Sequence, residues 1–347
     1  MSDAPLLEVD GLEKEFVVNG GIVSRMLGTT RRLRAIRDVS FDIEAGETVG
    51  LVGESGAGKS TVGNVITRQL TPTEGEVRFR GEDVHSLHGD DLAEFRQSVQ
   101  MVFQDPHSSL DPRYSIGRTL AEPLKIHTDL NKTERRERVE ELLETVNLDP
   151  NFRNRYPHEL SGGQLQRVSI AGALTVDPEF VILDEPVSAL DVSVQARILN
   201  LLMRLQEEHG LSYLLISHDL GVVKHICDRT AVMYLGEIVE HGRTRSLFEN
   251  PTHPYTEGLL ASIPKPDPHA KKSGQRLGGE IPSAENPPSG CSFHPRCAYA
   301  TEQCAEVNPP LEAVADGRDT ACHHWRQVSD DHSEAAASDQ ADVGASD

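Results

Sequence analysis

The stretch Gly53-Glu54-Ser55-Gly56-Ala57-Gly58-Lys59-Ser60-Thr61 constrains this chain more than any other. It follows the apolar run Thr48–Val52, read as a short buried strand, and precedes Thr61–Gln69, which has the composition of a helix. Strand, glycine-rich turn and helix in that order are the setting of a phosphate-binding loop. The glycines let the backbone approach a polyphosphate with its N–H groups turned inward, and the helix adds its positive end. Lys59 can reach the β- and γ-phosphate oxygens, and Ser60 can place a hydroxyl on Mg²⁺. The plainer reading, a βα turn that binds nothing, does not call for the complete GxxxxGKS set. The chain is therefore predicted to bind a nucleoside triphosphate.

Further motifs fall at strand ends. Val99–Phe103 reads as a strand ending at Gln104, and Phe180–Leu183 as a buried parallel strand ending in Asp184-Glu185. A carboxylate after such a strand holds Mg²⁺ in P-loop enzymes, and Glu185 is placed to polarise water. Tyr213–Ile216 closes in Ser217-His218-Asp219 on the edge that carries Asp184, the edge that faces ligand in open α/β sheets. Leu160-Ser161-Gly162-Gly163-Gln164 opens a helix with Ser161 at the N-cap, a second anion cradle that implies a second molecule's phosphate. Residues 106–155 read as helical, with a capping box at Asn131 and Glu134, and Asp191 is placed to cap the helix after it. Phe16, in an early strand, is by position a core residue. Residues 19–34, with Arg31, Arg32 and Arg34, read as an exposed excursion. Strands interleaved with helices predict an α/β core with a largely parallel sheet.

Length and charge bound the rest. No run among the 347 residues reaches the ~18–20 apolar residues of a membrane span. The first residues lack the basic and apolar regions of a secretory signal, so a soluble intracellular protein that can sit against a membrane partner is expected. The formal net charge of −21, from 55 acidic and 34 basic residues, disfavours nucleic-acid binding, which needs a basic surplus. An acidic, Lys-poor surface suits molar salt, where the Debye length shrinks to ~3 Å. A halophilic source is the expectation and an ordinary acidic protein the alternative.

Taken together, these motifs resemble the ATP-binding subunit of an ABC transporter over roughly residues 5–325. The resemblance implies an ABC ATPase domain at 5–245: a P-loop, RecA-like α/β core with an antiparallel β subdomain and a helical subdomain at about 106–175. It makes Gly53–Thr61 the Walker A motif, Gln104 the Q-loop, Leu160–Gln164 the signature, Phe180–Glu185 Walker B and His218 the H-loop. It also makes Phe16 the adenine-stacking aromatic, against the reading by position. Two such subunits would face head to tail, so that Ser161, Gly162, Gly163 and Gln164 of one meet the ATP and Mg²⁺ held by Lys59 and Asp184 of the other. Glu185 would be the general base, His218 would orient the γ-phosphate and water, and Gln104 would sense Mg²⁺ and couple to the membrane helices.

Val102–Pro106, Ser108–Arg113 and Asn250–Thr256 are similar to the oligopeptide/dipeptide/nickel importer branch. That branch implies a peripheral subunit on the cytoplasmic face of the membrane. Its partners would be a second, non-identical ATPase, two transmembrane permease subunits and, indirectly, an extracellular solute-binding protein. Peptides, nickel and short sugars remain open as the solute. A soluble ABC-type ATPase of repair or assembly, or a non-catalytic cassette, is the competing reading.

The branch also carries a cysteine-bearing extension, here 246–327. Cys291, Cys297, Cys304 and Cys322 follow a Pro- and Gly-rich linker at 264–290. The paired spacing usual for zinc is absent, and four thiolates from one segment suit an iron–sulfur cluster. A [4Fe–4S] cluster, which the resembling importers can carry there, zinc and unmetallated thiols all stay open. Cys227 reads as a core cysteine. Residues 328–347, polar and acidic with almost nothing to bury, are expected to be a disordered tail.

Overall fold

In the computed structural model, residues 4–18, 31–263, 277–314 and 317–333 are described. Two long strands, β1 (Leu7–Val18) and β2 (Arg31–Ile43), pair antiparallel. The next strand, β3 (Thr48–Val52), is buried throughout and runs through the glycine-rich turn into helix α1 (Lys59–Ile66). Strands β4 (Glu74–Phe79) and β5 (Glu82–Asp83) complete a four-stranded antiparallel sheet in the order β2-β1-β4-β5. Helix α2 (Gly89–Ser98) then leads into β6 (Val99–Val102).

Four helices separate β6 from the next strand: α3 (Pro106–Ser109), α4 (Ile116–His127), α5 (Lys132–Thr145) and α6 (Gly162–Ala173). The capping box at the start of α5 is formed: Asn131 Oδ1 accepts from Thr133 N and Glu134 N, and Glu134 Oε2 accepts from Asn131 N at 2.7 Å. The helix buries Val139, Leu142 and Leu143, the apolar stripe of its 3.6-residue period.

Strand β7 (Phe180–Asp184), helix α7 (Val192–His209), strand β8 (Ser212–Ser217), helix α8 (Leu220–Ile226) and strands β9 (Arg229–Tyr234) and β10 (Glu237–Arg243) finish the core. After α9 (Thr244–Glu249) and α10 (Pro254–Ala261) come α11 (Glu302–Glu306), β11 (Glu312–Ala313) and β12 (Asp319–Thr320). The last two strands extend the second sheet, whose order is β11-β12-β10-β9-β3-β8-β7-β6.

Within that sheet β9, β3, β8, β7 and β6 are parallel, so the loops after β3, β6, β7 and β8 leave from one edge. Central strands of this kind are apolar on both faces. Val49, Leu51, Ile182, Leu183, Leu214, Leu215 and Val232 are fully buried, each burial contributing about 1.5–3 kcal/mol.

Three expectations change. Arg31, Arg32 and Arg34 belong to β2 and not to an excursion. Arg32 and Arg34 meet Glu15 across the strand pair at 3.0 and 2.8 Å, so an arginine-rich run is stable as the edge of a sheet. The rest of that segment, 19–30, lies outside the described residues. Asp191 stands at the N-cap of α7, but its side chain makes no capping bond. Order also continues past 328: residues 325–333 are helical, Val328 is buried, and Ser329 Oγ accepts from Asn250 Nδ2 at 2.8 Å. One apolar side chain and a hydrogen bond dock a turn whose composition reads as tail. Residues 334–347 and 264–276 lie outside the described residues.

Candidate active site

The glycine-rich loop is built against its neighbours before any ligand is considered. A Cβ on Gly53 would overlap the Met233 carbonyl oxygen, and one on Gly58 the Ala35 carbonyl oxygen, whereas Gly56 has open space around it. Two of the glycines are therefore demanded by β9 and β2, and the third leaves the loop open. The two-residue turn of the β9–β10 hairpin, Leu235-Gly236, completes the clamp: Gly236 N donates to Ala57 O at 3.0 Å. Lys59 Nζ donates to Gly53 O and Glu54 O at 2.8 and 3.0 Å. Burial holds its ammonium below the usual lysine range, against the pull of Glu185 and Asp184. An ammonium bound only to two carbonyls is ready to exchange them for phosphate oxygens.

Ser60 Oγ donates to Asp184 Oδ1 at 3.0 Å, which joins α1 to the end of β7. Asp184 is buried, and burial raises its carboxyl above the ordinary range. These hard oxygens fit a Mg²⁺ ion that shares a nucleotide's phosphates.

Glu185 follows with a backbone φ of +47°, a region L-residues seldom occupy, and its N–H donates to Ile216 O at 2.9 Å. Such backbone is tolerated where its surroundings hold it in place, and active sites are where it collects. The turn brings the carboxylate between two side chains from neighbouring strand ends: Gln104 Nε2 donates to Oε2 at 2.7 Å, and His218 Nδ1 lies 2.9 Å from Oε1. Gln104, expected at the metal, is thus bonded to Glu185. The carboxylate is fixed in orientation while His218 stays more than half exposed. This arrangement can orient and polarise a water molecule.

A cavity of ≈ 730 Å³ joins these groups. Phe16, Leu33 and Ala35 contribute to its wall, and Glu54, Ser55, Gly56, Gly58, Lys59, Ser60, Thr61, Gln104, Glu185 and His218 contribute as well. Phe16 is half-buried on that wall and not in the core. Leu259 and Ala284 also line the cavity. The sequence reading missed both, because neither lies in a motif; proximity to the Asn250–Thr256 run was the only available signal. Ser161, Gly162, Gly163 and Gln164 are absent from the cavity wall. They form the mouth of α6, where Gln164 Oε1 accepts from Ser161 N at 3.0 Å and Gly162 and Gly163 pack against Leu190 and Val194.

Cys291, Cys297, Cys304 and Cys322 line one small cavity with His253, Phe293 and His294. All four are free thiols, and Cys291 N donates to Cys304 O at 2.8 Å. Burial pushes the Cys297 thiol up to about 11 and Cys322 up to about 12. Among the described residues no group of three or more His, Cys, Asp or Glu is placed to hold a metal ion. Cys227 is buried beneath β3 and α8, as a core cysteine would be.

Comparison with known proteins gives the family of the chain. Residues 36–188 match the family model described as ABC transporter, and residues 239–304 match that described as oligopeptide/dipeptide transporter, C-terminal region. The chain is 49% identical to the putative oligopeptide transport ATP-binding protein YkfD of Bacillus subtilis, over 94% of this chain and 98% of that protein. It is 48% identical to the dipeptide transport ATP-binding protein DppF of Haemophilus influenzae, over 93% and 97%. Among solved structures, the dimeric ATP-binding cassette MJ0796 bound to ADP and Pi superposes with a TM-score of 0.61 at 31% identity, covering 69% of this chain and 99% of that one. The cassette cbiO1 of Clostridium perfringens gives 0.59 at 28% identity, covering 70% and 90%.

Proposed function

Because the chain belongs to the ABC transporter ATP-binding proteins, in their oligopeptide/dipeptide branch, we propose that it is the motor of a peptide importer, hydrolysing ATP to drive a peptide-class solute through two membrane-spanning partner subunits. The observation that carries this reading is the Glu185 carboxylate, held by Gln104 and His218 on the sheet edge that also presents Lys59 and the Ser60–Asp184 pair. In this assignment Glu185 accepts the proton of the attacking water, and His218 keeps carboxylate and γ-phosphate aligned. Lys59 and the loop N–H groups bind phosphate, and Ser60 and Asp184 hold Mg²⁺. Gln104, at the start of the helical insert, moves with the membrane subunits and alters its bond to Glu185. The test is Glu185→Gln: ATP binding is expected to persist while turnover is lost, and surviving turnover would refute the assignment.

The second anion cradle completes another subunit's site. Ser161–Gln164 open a helix yet stand apart from this chain's own cavity, which supports a head-to-tail pair; the related cassette MJ0796 was itself solved as a dimer. We assign a non-identical ATPase as the partner and the cytoplasmic face of the membrane as the working place. No helix among the described residues is long and apolar enough to cross a membrane. Co-purification with membrane subunits, and loss of transport with retained ATP binding in Gln104→Ala, test this part.

Cys291, Cys297, Cys304 and Cys322 line one small cavity, and that shared cavity is what supports reading them as ligands of a [4Fe–4S] cluster. Cys291, Cys297, Cys304 and Cys322 would hold it, and it would serve structure or redox sensing, since it takes no part in the ATP chemistry itself. Iron analysis and visible absorbance of an anaerobic preparation test this, and a colourless, iron-free protein refutes it. The acidic balance supports a halophilic source; stability no greater in molar KCl than in dilute buffer would count against it.

A further inference from the structure

We propose that Arg296, in the cysteine-bearing C-terminal segment, is a positioning residue of the nucleotide site: it fixes and neutralises Glu54, so that this segment takes part in holding the triphosphate. The inference rests on the reading of Gly53–Thr61 as an ATP loop and adds to it a residue from outside that loop.

A carboxylate is an awkward group in a phosphate cradle. Glu54 is the second residue of the loop and lines the cavity, where an unpaired negative charge would repel a polyanion. Arg296 answers that charge from far along the sequence. Its Nη1 donates to Glu54 Oε2 at 2.7 Å and its Nη2 to Oε1 at 3.1 Å, the bidentate geometry that makes an arginine–carboxylate pair both strong and directional. The side chain is only 4% exposed. Arg296 Nε donates to Gly278 O at 2.9 Å, and the guanidinium carbon stands 5.7 Å from the ring centroids of both Tyr234 and Phe293. A surface ion pair contributes little, but here the guanidinium is almost fully buried and each of its nitrogens has a partner.

The backbone of Glu54 is anchored too. Its N–H donates to Tyr255 Oη at 2.8 Å, and its carbonyl accepts from Lys59 Nζ at 3.0 Å. Two residues that hold Glu54 thus come from the chain after the ATPase core. The other two are in the loop: Ala57 N, which donates to the Glu54 carbonyl at 3.2 Å, and the lysine, which must let go of that carbonyl to meet phosphate. The C-terminal anchors then keep the first half of the loop still while Lys59 moves, so the N–H groups of Ser55 and Gly56 stay aimed at the ligand. Leu259 and Ala284 bring the same segment to the cavity wall. Cys297 follows Arg296 directly, and Phe293 both lines the thiol cavity and packs on Tyr234 and Tyr255. Packing around the thiols is therefore one residue away from the loop.

The test is calorimetric titration of MgATP and MgADP into the full-length chain, as wild type and as R296Q, R296K and the double variant E54Q/R296Q. R296Q is expected to weaken ATP binding by about tenfold, the scale of one lost charge-assisted interaction, and ADP binding by less, because the exposed carboxylate repels the more charged ligand more strongly. R296K should recover part of the loss by restoring charge without the fork. E54Q/R296Q should recover most of it, since no carboxylate is left to neutralise. Wild-type affinity in R296Q, equal losses for ATP and ADP, or a double variant as weak as R296Q would each overturn the proposal. Should R296Q fail to fold, E54Q alone decides: with Arg296 left as a free cation beside the phosphates, the preference for ATP over ADP should increase, and an unchanged preference overturns the proposal. Absence of ATP binding by the wild type would instead remove the parent reading, and this inference with it.

Discussion

The carboxyl edge of the parallel sheet and the segment after α9 both hold charged groups beside the nucleotide cavity, but they hold them differently. At the sheet edge the contacts of Glu185 run to Gln104 and to His218, which is 55% exposed, and one side-chain rotation would break either. In the C-terminal segment Thr252 N, Thr252 Oγ1 and His253 N donate to the fully buried Glu240 carboxylate of β10 at 2.8, 2.8 and 3.0 Å. Phe293 packs among Tyr234, His253 and Tyr255 with ring centroids 5.3–5.8 Å away. A site that must change partners during a cycle keeps its polar groups loosely committed. The C-terminal segment instead encloses that buried carboxylate with three donors and fills the gaps with rings. The contrast sets an exposed side of the cavity against a densely packed wall.

The largest effect that would sharpen this contrast is at the loose side. Glu185→Gln should lower the ATP hydrolysis rate by roughly 10²–10³-fold with little change in ATP affinity, as expected when a general base is lost but the phosphate contacts remain. On the rigid side, Phe293→Ala should cost about 3 kcal/mol in denaturant unfolding, the usual price of deleting a buried aromatic ring, while hydrolysis falls far less than in Glu185→Gln. Equal damage to hydrolysis in both variants would break the comparison.

A comparable effect concerns pH. Burial holds His253 neutral, with its pKa pushed down to about 3 from the ordinary 6.5. Between those values the unfolded chain binds a proton that the folded chain refuses. Its contribution is therefore present above pH 6.5 and is lost as pH falls toward 3, by at most about 1.4 kcal/mol per pH unit. Stability measured from pH 7 to pH 4 should show this slope in the wild type and a flatter one in His253→Asn, whose side chain can still accept from Tyr255 N. Smallest of the four is Phe16→Leu. Loss of a stacking face on the cavity wall should raise KM for ATP by roughly fivefold, about 1 kcal/mol, with kcat nearly unchanged.

The placement of the proposed catalytic groups was legible because they lie in contiguous runs at strand ends. A buried strand followed by Asp184-Glu185, or by a Gly-rich turn and Lys59-Ser60, states where on the sheet these side chains stand. What the runs did not show was which neighbours they meet. That Gln104 bonds to Glu185, or that Gly53 and Gly58 back onto the carbonyls of Met233 and Ala35, depends on strand order, which one sequence does not state. Arg296 was invisible for the same reason, with 242 positions separating it from Glu54. Composition misled in two places. The arginines of β2 find Glu15 across a strand pair, and the acidic turn after Trp325 is docked by the single apolar Val328. In both, a tertiary contact outweighs local polarity.

The central claim is that hydrolysis needs the Ser161–Gln164 turn of another ATPase subunit over this chain's Lys59 and Glu185. The most direct test is the specific ATPase rate of this chain with its partner subunits across a dilution series, with the assembly state followed by sedimentation. A rate per subunit that falls on dilution in step with dissociation is the predicted result. A strictly monomeric chain that cleaves ATP at the undiluted rate would contradict it.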